Sequence, residues 1–310
     1  MRLITTYNCG LRAALAVVLV GWGCTSLAAQ TTGPWATSPR ERGLVSSGLP
    51  VSPFFEGWYE NPDGTFTLSF GYFNRNREEA LSLPLGADNF IEPAQYNGTQ
   101  PTVFMPGRDT GVFTVTVPAD FAINDGRVVW TLDSGDVEPH SVPGKVGIET
   151  YRLHHGPMAM GSMPALLKLG PDGPELWGPM TVIGDPSTDA AWSEGRNPPG
   201  NLHNPIPLTA SSGSPLTLTV WVADRMTSNA ERDPVEAGVT WFTHQGPASA
   251  VFADEEPVPG SDGRATTSVT FPETGVYMLR VRADNFNPVD STPGDQCCWT
   301  NGYLRVVVGS

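Results

Sequence analysis

The sequence predicts an all-β protein with two β-sandwich domains, and three observations carry that reading. LTLTVWVAD (Leu216 to Asp224) alternates strictly, with Leu216, Leu218, Val220 and Val222 on one face. TSVTFPETGVYMLRVRAD (Thr267 to Asp284) repeats the pattern with Tyr277, Leu279, Val281 and Ala283. A period of two marks a strand with one buried face. Third, 34 glycines and 30 prolines make up about a fifth of the 310 residues, against an average usage of roughly 12 %. With that alternation they point to short strands and many turns. The chain beyond the N-terminal segment carries no amphipathic helical pattern of ten or more residues.

Residues 1–29 have the layout of a secretory signal. Arg2 and Arg12 supply positive charge, Ala13 to Gly23 is an apolar run, and Ser26 to Ala29 offers small residues for cleavage. The run is short for a membrane span, which needs about 20 apolar residues. A cleaved peptide is therefore expected, with membrane attachment only if this segment stays uncleaved. Residues 30–50 are polar and proline-broken, a flexible leader.

A first sandwich is expected over residues 51–155. Phe54 to Glu60 and Thr65 to Phe73 read as strands joined by Asn61-Pro62-Asp63-Gly64, where Pro fixes φ and Gly accepts positive φ. Phe66, Leu68, Phe70 and Tyr72 share one face. Thr102 to Met105, Gly111 to Val117 (Phe113, Val115, Val117 inward) and Arg127 to Asp133 (Val128, Trp130, Leu132 inward) follow. Residues 156–205 are broken by Gly-Pro, Asp-Pro and Asn-Pro-Pro-Gly and read as a Gly/Pro-rich connector. One or two edge strands in it are expected to lie over the first domain. A structureless loop of that length is unusual inside one compact domain, which places a boundary here. The second sandwich spans residues 206–310.

The formal net charge is −14, and loss of Arg2 and Arg12 makes it more negative. Lys145 and Lys168 are the only lysines. No basic stripe is available to neutralise phosphates, so nucleic acid is not an expected partner. There is no GxSxG elbow, HExxH, phosphate loop or dinucleotide fingerprint, and no catalytic role is expected.

Three groups of residues carry possible chemistry. His154, Met158, Met160 and Met163 offer imidazole and thioether ligands in a Gly/Pro loop, a donor set suited to copper. Methionines that merely cover apolar surface are the competing account. Asp284, Asp290 and Asp295 could supply oxygens to calcium, but the spacing is not an EF-hand and solvated turn residues are the favoured account. Cys297 and Cys298 are adjacent, so in an oxidising compartment they could form a vicinal disulfide; two reduced thiols is the alternative. Frequent aromatics, among them Phe54, Phe55, Trp58, Tyr59, Trp221, Trp241 and Trp299, would grip sugars if exposed, but alternation sends most of them inward.

The second domain resembles bacterial Ig-like repeats of the PKD-like type. The matching pieces are Pro215 to Val220, Trp241 with Gln245 to Ala248, Val251-Phe252, Ala265 to Phe271, Thr274 to Arg280 and Val306 to Val308. Tyr277, at the start of its strand, stands where immunoglobulin-type sandwiches carry a tyrosine corner. The first domain resembles β-sandwiches of uncharacterised exported bacterial proteins. The resemblance implies two Ig-like β-sandwich domains joined by the connector, after the signal peptide. It further implies a periplasmic or secreted, non-catalytic binding or structural module with a protein or glycan partner at the envelope. A periplasmic copper-handling protein using the His154 to Met163 loop is the alternative.

Overall fold

The computed structural model describes residues 47–61, 63–135, 138–153, 161–173, 175–176, 178, 208–285, 290–292, 295–297 and 299–310. Side chains of residues 290–297 lie outside this description. Every regular element among the described residues is a strand or a single 3-10 turn, so the chain is all-β.

The N-terminal half holds eight strands. β1 (Val51–Glu60) pairs with β2 (Phe66–Asn74) through the turn anticipated at Asn61 to Gly64, where Asn61 N–H and Gly64 N–H bond across the turn. β3 (Leu81–Ser82) pairs with β5 (Val103–Phe104). β4 (Asn89–Glu92) and β8 (His140–Gly144) flank β7 (Val128–Leu132), and β6 (Gly107–Val117) completes the β1-β2-β6 sheet. Leu68, Phe70, Phe113, Val115, Val128, Trp130 and Leu132 fill one core, as alternation requires. Phe113 meets Trp130 edge-on at 4.8 Å and stacks on Phe70 at 5.3 Å, geometries favoured by aromatic quadrupoles. β8 carries Pro143 and sits at a sheet edge, where a missing N–H is tolerated.

The C-terminal half is a sandwich of two four-stranded sheets. β10 (Leu208–Ser211), β18 (Trp299–Gly309), β15 (Gly275–Asp284) and β12 (Gly238–Gln245) form one, in that order. β13 (Val251–Phe252), β14 (Arg264–Thr270), β11 (Pro215–Met226) and β9 (Ser162–Lys168) form the other. Between them lies a core of Leu218, Val220, Val222, Trp241, Tyr277, Leu279, Val281 and their neighbours. A small hairpin of β16 (Asp290–Thr292) and β17 (Asp295–Cys297) precedes β18. The Tyr277 hydroxyl donates to the Glu273 carbonyl at 3.1 Å. This tyrosine corner, with two sheets enclosing one core, gives the Ig-like character directly.

One strand departs from expectation. β9 belongs to the stretch read as connector, yet it pairs with β11 (Leu167 opposite Val222) and joins the second sandwich, not the surface of the first. Ala165 and Leu167 alternate inward and are fully buried there. That two-residue period was too short to stand out among the surrounding prolines. The described residues also cluster as one compact unit from Leu44 to the C-terminus.

Candidate functional site: a buried polar seam and two exposed faces

The two halves meet directly, and the contact is built from bulges. In β6 the register against β2 slips between the Phe70–Phe113 and Tyr72–Asp109 pairs. Thr110, Gly111 and Val112 therefore lose ladder partners, and Gly111 takes φ +55°. A bulge leaves backbone groups available to other elements. Here β18 uses them: Asn301 Nδ2 donates to the Gly111 carbonyl at 2.7 Å and the Tyr303 hydroxyl to the Val112 carbonyl at 2.7 Å. Gly111 N–H donates to Glu56 Oε2 at 2.8 Å.

The same face of the C-terminal sheet carries a row Phe242–Arg280–Tyr303, set by cross-strand pairing. Arg280 is 1 % exposed and pairs with Asp109, 171 residues away in sequence. Its guanidinium lies 4.2 Å from the Phe242 ring centroid, while Arg282 lies 5.2 Å from that ring and 3.6 Å from the second Asp109 oxygen. Burial pulls the Arg280 pKa down, but the Asp109 charge and hydrogen bond, together with the neighbouring Tyr303 and Tyr72 hydroxyls, hold it above the usual arginine value. Burial, then the Asp109 charge, pushes the Tyr72 hydroxyl up. Nε and Nη1 of Arg280 have no protein acceptor. Arg280 borders a cavity of about 10 Å3 also lined by Tyr72, Pro101, Asp109, Phe242 and His244, room for about one water.

A second bulge, at the end of β12, presents His244 and Gln245 to the N-terminal half. His244 Nε2 lies 2.8 Å from the Thr99 carbonyl, which makes it the protonated nitrogen of a neutral ring. Gln245 Nε2 donates to the carbonyls of Gly98 and Gln100, and Thr102 N–H donates to the His244 carbonyl. Burial and the neighbouring Arg280 charge drive the His244 pKa down to about 3, against the Thr99 bond. In the same turn Asn97 Oδ1 accepts from Ile91 N–H and from Gln100 Nε2.

The structure brings Met163 and Asn285, which border two of the sequence-predicted loops, together at one pole of the C-terminal sandwich. Asn285 Nδ2 donates to the Met163 carbonyl at 2.9 Å and to Asp224 Oδ1 at 2.5 Å. Arg232 holds Asp224 bidentately at 2.7 and 2.8 Å and reaches Ser162 Oγ. Burial works to raise the Asp224 pKa, but donors from Arg232, Asn285 and Val235 hold it below the usual carboxylate range. Of the copper set, Met163 lies in β9, half-buried; His154, Met158 and Met160 lie outside the described residues. Of the calcium set, Asp284 ends β15 with its carboxylate 3.9 Å from Arg282. Burial raises its pKa, Arg282 opposes and Glu256 adds to the rise. Asp290, Asp295 and Cys297 are placed only as backbone, and Cys298 lies outside the description. No group of three His, Cys, Asp or Glu side chains poised for a metal occurs among the described residues.

Of the aromatics considered for sugar contact, Trp58, Tyr59, Trp241 and Trp299 are all at most 5 % exposed. Phe54 and Phe55 are half-buried. Trp221 is half-buried on the outward face of β11.

No protein-family model and no curated protein sequence matches the chain. Among solved structures, the D0-D1 domain of Intimin aligns over 83 % of this chain and 97 % of its own at 12 % identity and a TM-score of 0.23. The Yersinia pseudotuberculosis adhesin InvE aligns over 83 % of this chain and 58 % of its own at 12 % identity, TM-score 0.22. Domains 4 and 5 of the S-layer protein SbsC align over 60 % and 66 % at 8 % identity, TM-score 0.23. Superpositions this loose carry no weight, so the fold assignment stands on strand pairing and the Tyr277 corner.

Proposed function

We propose that this chain is an exported, non-catalytic binding or structural module of the bacterial envelope or extracellular space, in which the two sandwich halves act as one stiff body. The observation that carries the reading is the seam. There Asp109 pairs with Arg280 and His244 donates to the Thr99 carbonyl, in a space with room for about one water. A substrate cleft has the opposite design, with convergent polar groups in a concave pocket of several hundred Å3. Export follows from the signal-like residues 1–29, and an acidic surface suits a soluble exported protein. Among the described residues no helix is long and apolar enough to cross a membrane.

The test is retention. Fluorescently labelled full-length chain is titrated onto isolated bacterial envelopes, with heat-denatured protein as the control. Saturable retention of the folded protein is expected. Retention that is absent, or equal for the denatured chain, overturns the binding reading. N-terminal sequencing of the protein recovered from a bacterial host checks export, with a new terminus near residue 29 expected.

A further inference from the structure

One face of the C-terminal sandwich is taken up by the seam; the other presents exposed and half-buried side chains, and its composition runs against that of the chain. In β11, Leu218, Val220 and Val222 enter the core, which turns Thr217, Thr219, Trp221 and Ala223 outward. Cross-strand pairing sets Arg264 of β14 and Lys168 of β9 directly opposite Trp221, one on each side. Opposed residues share a face with Cβ atoms about 4.5–5.5 Å apart, so the three side chains form one row, cation–indole–cation.

Several features set this row apart. Four of the five described tryptophans are at most 5 % exposed, whereas Trp221 is half-buried. Arg264 is exposed and makes no ion pair among the described residues. Lys168, one of two lysines in a chain of net charge −14, has Glu175 at a loose 3.9 Å, a pairing that adds little. Beside the row stands a column of hydroxyls, Thr217, Thr219, Thr266 and Ser268, with Thr219 and Thr266 joined at 3.1 Å.

We propose that this face binds an acidic polysaccharide. The inference rests on reading the chain as a binding module and names its ligand class. An indole offers a flat apolar surface to the C–H face of a pyranose ring. Arg264 and Lys168, on either side, match carboxylates on successive sugars, the guanidinium by paired hydrogen bonds. The hydroxyl column matches sugar hydroxyls. The acidic remainder of the chain repels a polyanion elsewhere, which confines binding to this face. A neutral glycan leaves both cations unmatched, and two cations are too few for the many phosphate contacts of a nucleic acid.

Affinity electrophoresis in gels containing polygalacturonate, and in parallel its fully methyl-esterified form, tests this with the full chain. Retardation by the acid form alone is expected, weakening as salt rises. W221A, and separately K168Q/R264Q, should each weaken it about tenfold or more, as anchoring Trp and Arg residues do. Urea unfolding confirms that each variant, altered only on an outward face, keeps its stability. Absence of retardation, equal retardation by the ester, or retardation unchanged in the stable variants overturns the proposal. Envelope retention that survives W221A leaves the broader reading standing while this one falls.

Discussion

Acid should loosen the seam through His244. In the fold this ring is neutral, buried and beside Arg280, with its pKa lowered to about 3, while an unfolded-chain histidine titrates near 6.5. Between those values the unfolded chain binds a proton that the folded chain refuses, so stability falls as pH drops through the window and is retained above it. The groups facing the ring are Arg280 from β15, Tyr303 from β18 at 5.2 Å, and the Thr99 carbonyl. The one carboxylate that lines the same cavity, Asp109, is engaged by Arg280 and Arg282. At pH 5, some 1.5 units below the unfolded value, the loss is about 2 kcal/mol, at 1.36 kcal/mol per unit. The assay is urea unfolding at pH 7 and pH 5 at constant ionic strength, comparing wild type with H244Q, which keeps an N–H donor but does not titrate. Other groups contribute to both proteins, so the difference between the two losses isolates His244. An H244Q protein that loses as much stability on acidification as wild type refutes the argument.

Asp109→Asn leaves Arg280 buried without its counter-charge and should cost about 3–5 kcal/mol by urea unfolding. The double variant D109N/R280M, which removes both charges, should recover much of that loss, and failure to do so would show that the pair is not the cause. Gly263 sits at φ +75°, where a Cβ would clash with the Val222 carbonyl, while Gly213 at φ +74° has open space. Gly263→Ala should therefore destabilise clearly more than Gly213→Ala in thermal unfolding, since the two share the backbone strain and only one has the clash. If the His154 to Met163 loop holds copper, alanine at His154, Met160 and Met163 together removes Cu(I) binding in a titration; an unchanged stoichiometry rejects that reading.

The legible parts of this fold are those where alternation and burial coincide. β2, β6, β7, β11 and β15 could be read from sequence because every second residue is apolar and bounded by Gly, Pro, Asp or Asn. The two-residue strand β3 carries no period and β8 hides behind Pro143, whereas β5 was anticipated within Thr102 to Met105. The seam was not legible for a different reason. Arg280, Arg282 and Asn301 occupy alternate positions that in an isolated sandwich face water, and charged residues there are ordinary. What buries them is a partner surface more than 170 residues distant, which no local pattern reports. The available hint was glycine within a strand, Gly107 and Gly111 in β6, a common mark of a bulge or close backbone approach. Likewise His244 was one of five histidines, and only the fold singles it out.

The pairing of β10 with β18 has a mechanical side. The two strands run parallel, in register from Leu208 opposite Val306 to Ser211 opposite Gly309. Tension applied between Leu208 and Gly309 pulls these strands along their own length in opposite directions. Their hydrogen bonds then carry load side by side, in shear, and must rupture nearly together instead of unzipping singly. A sandwich loaded between these two points would yield abruptly, at a force set by those few bonds, and not by gradual extension.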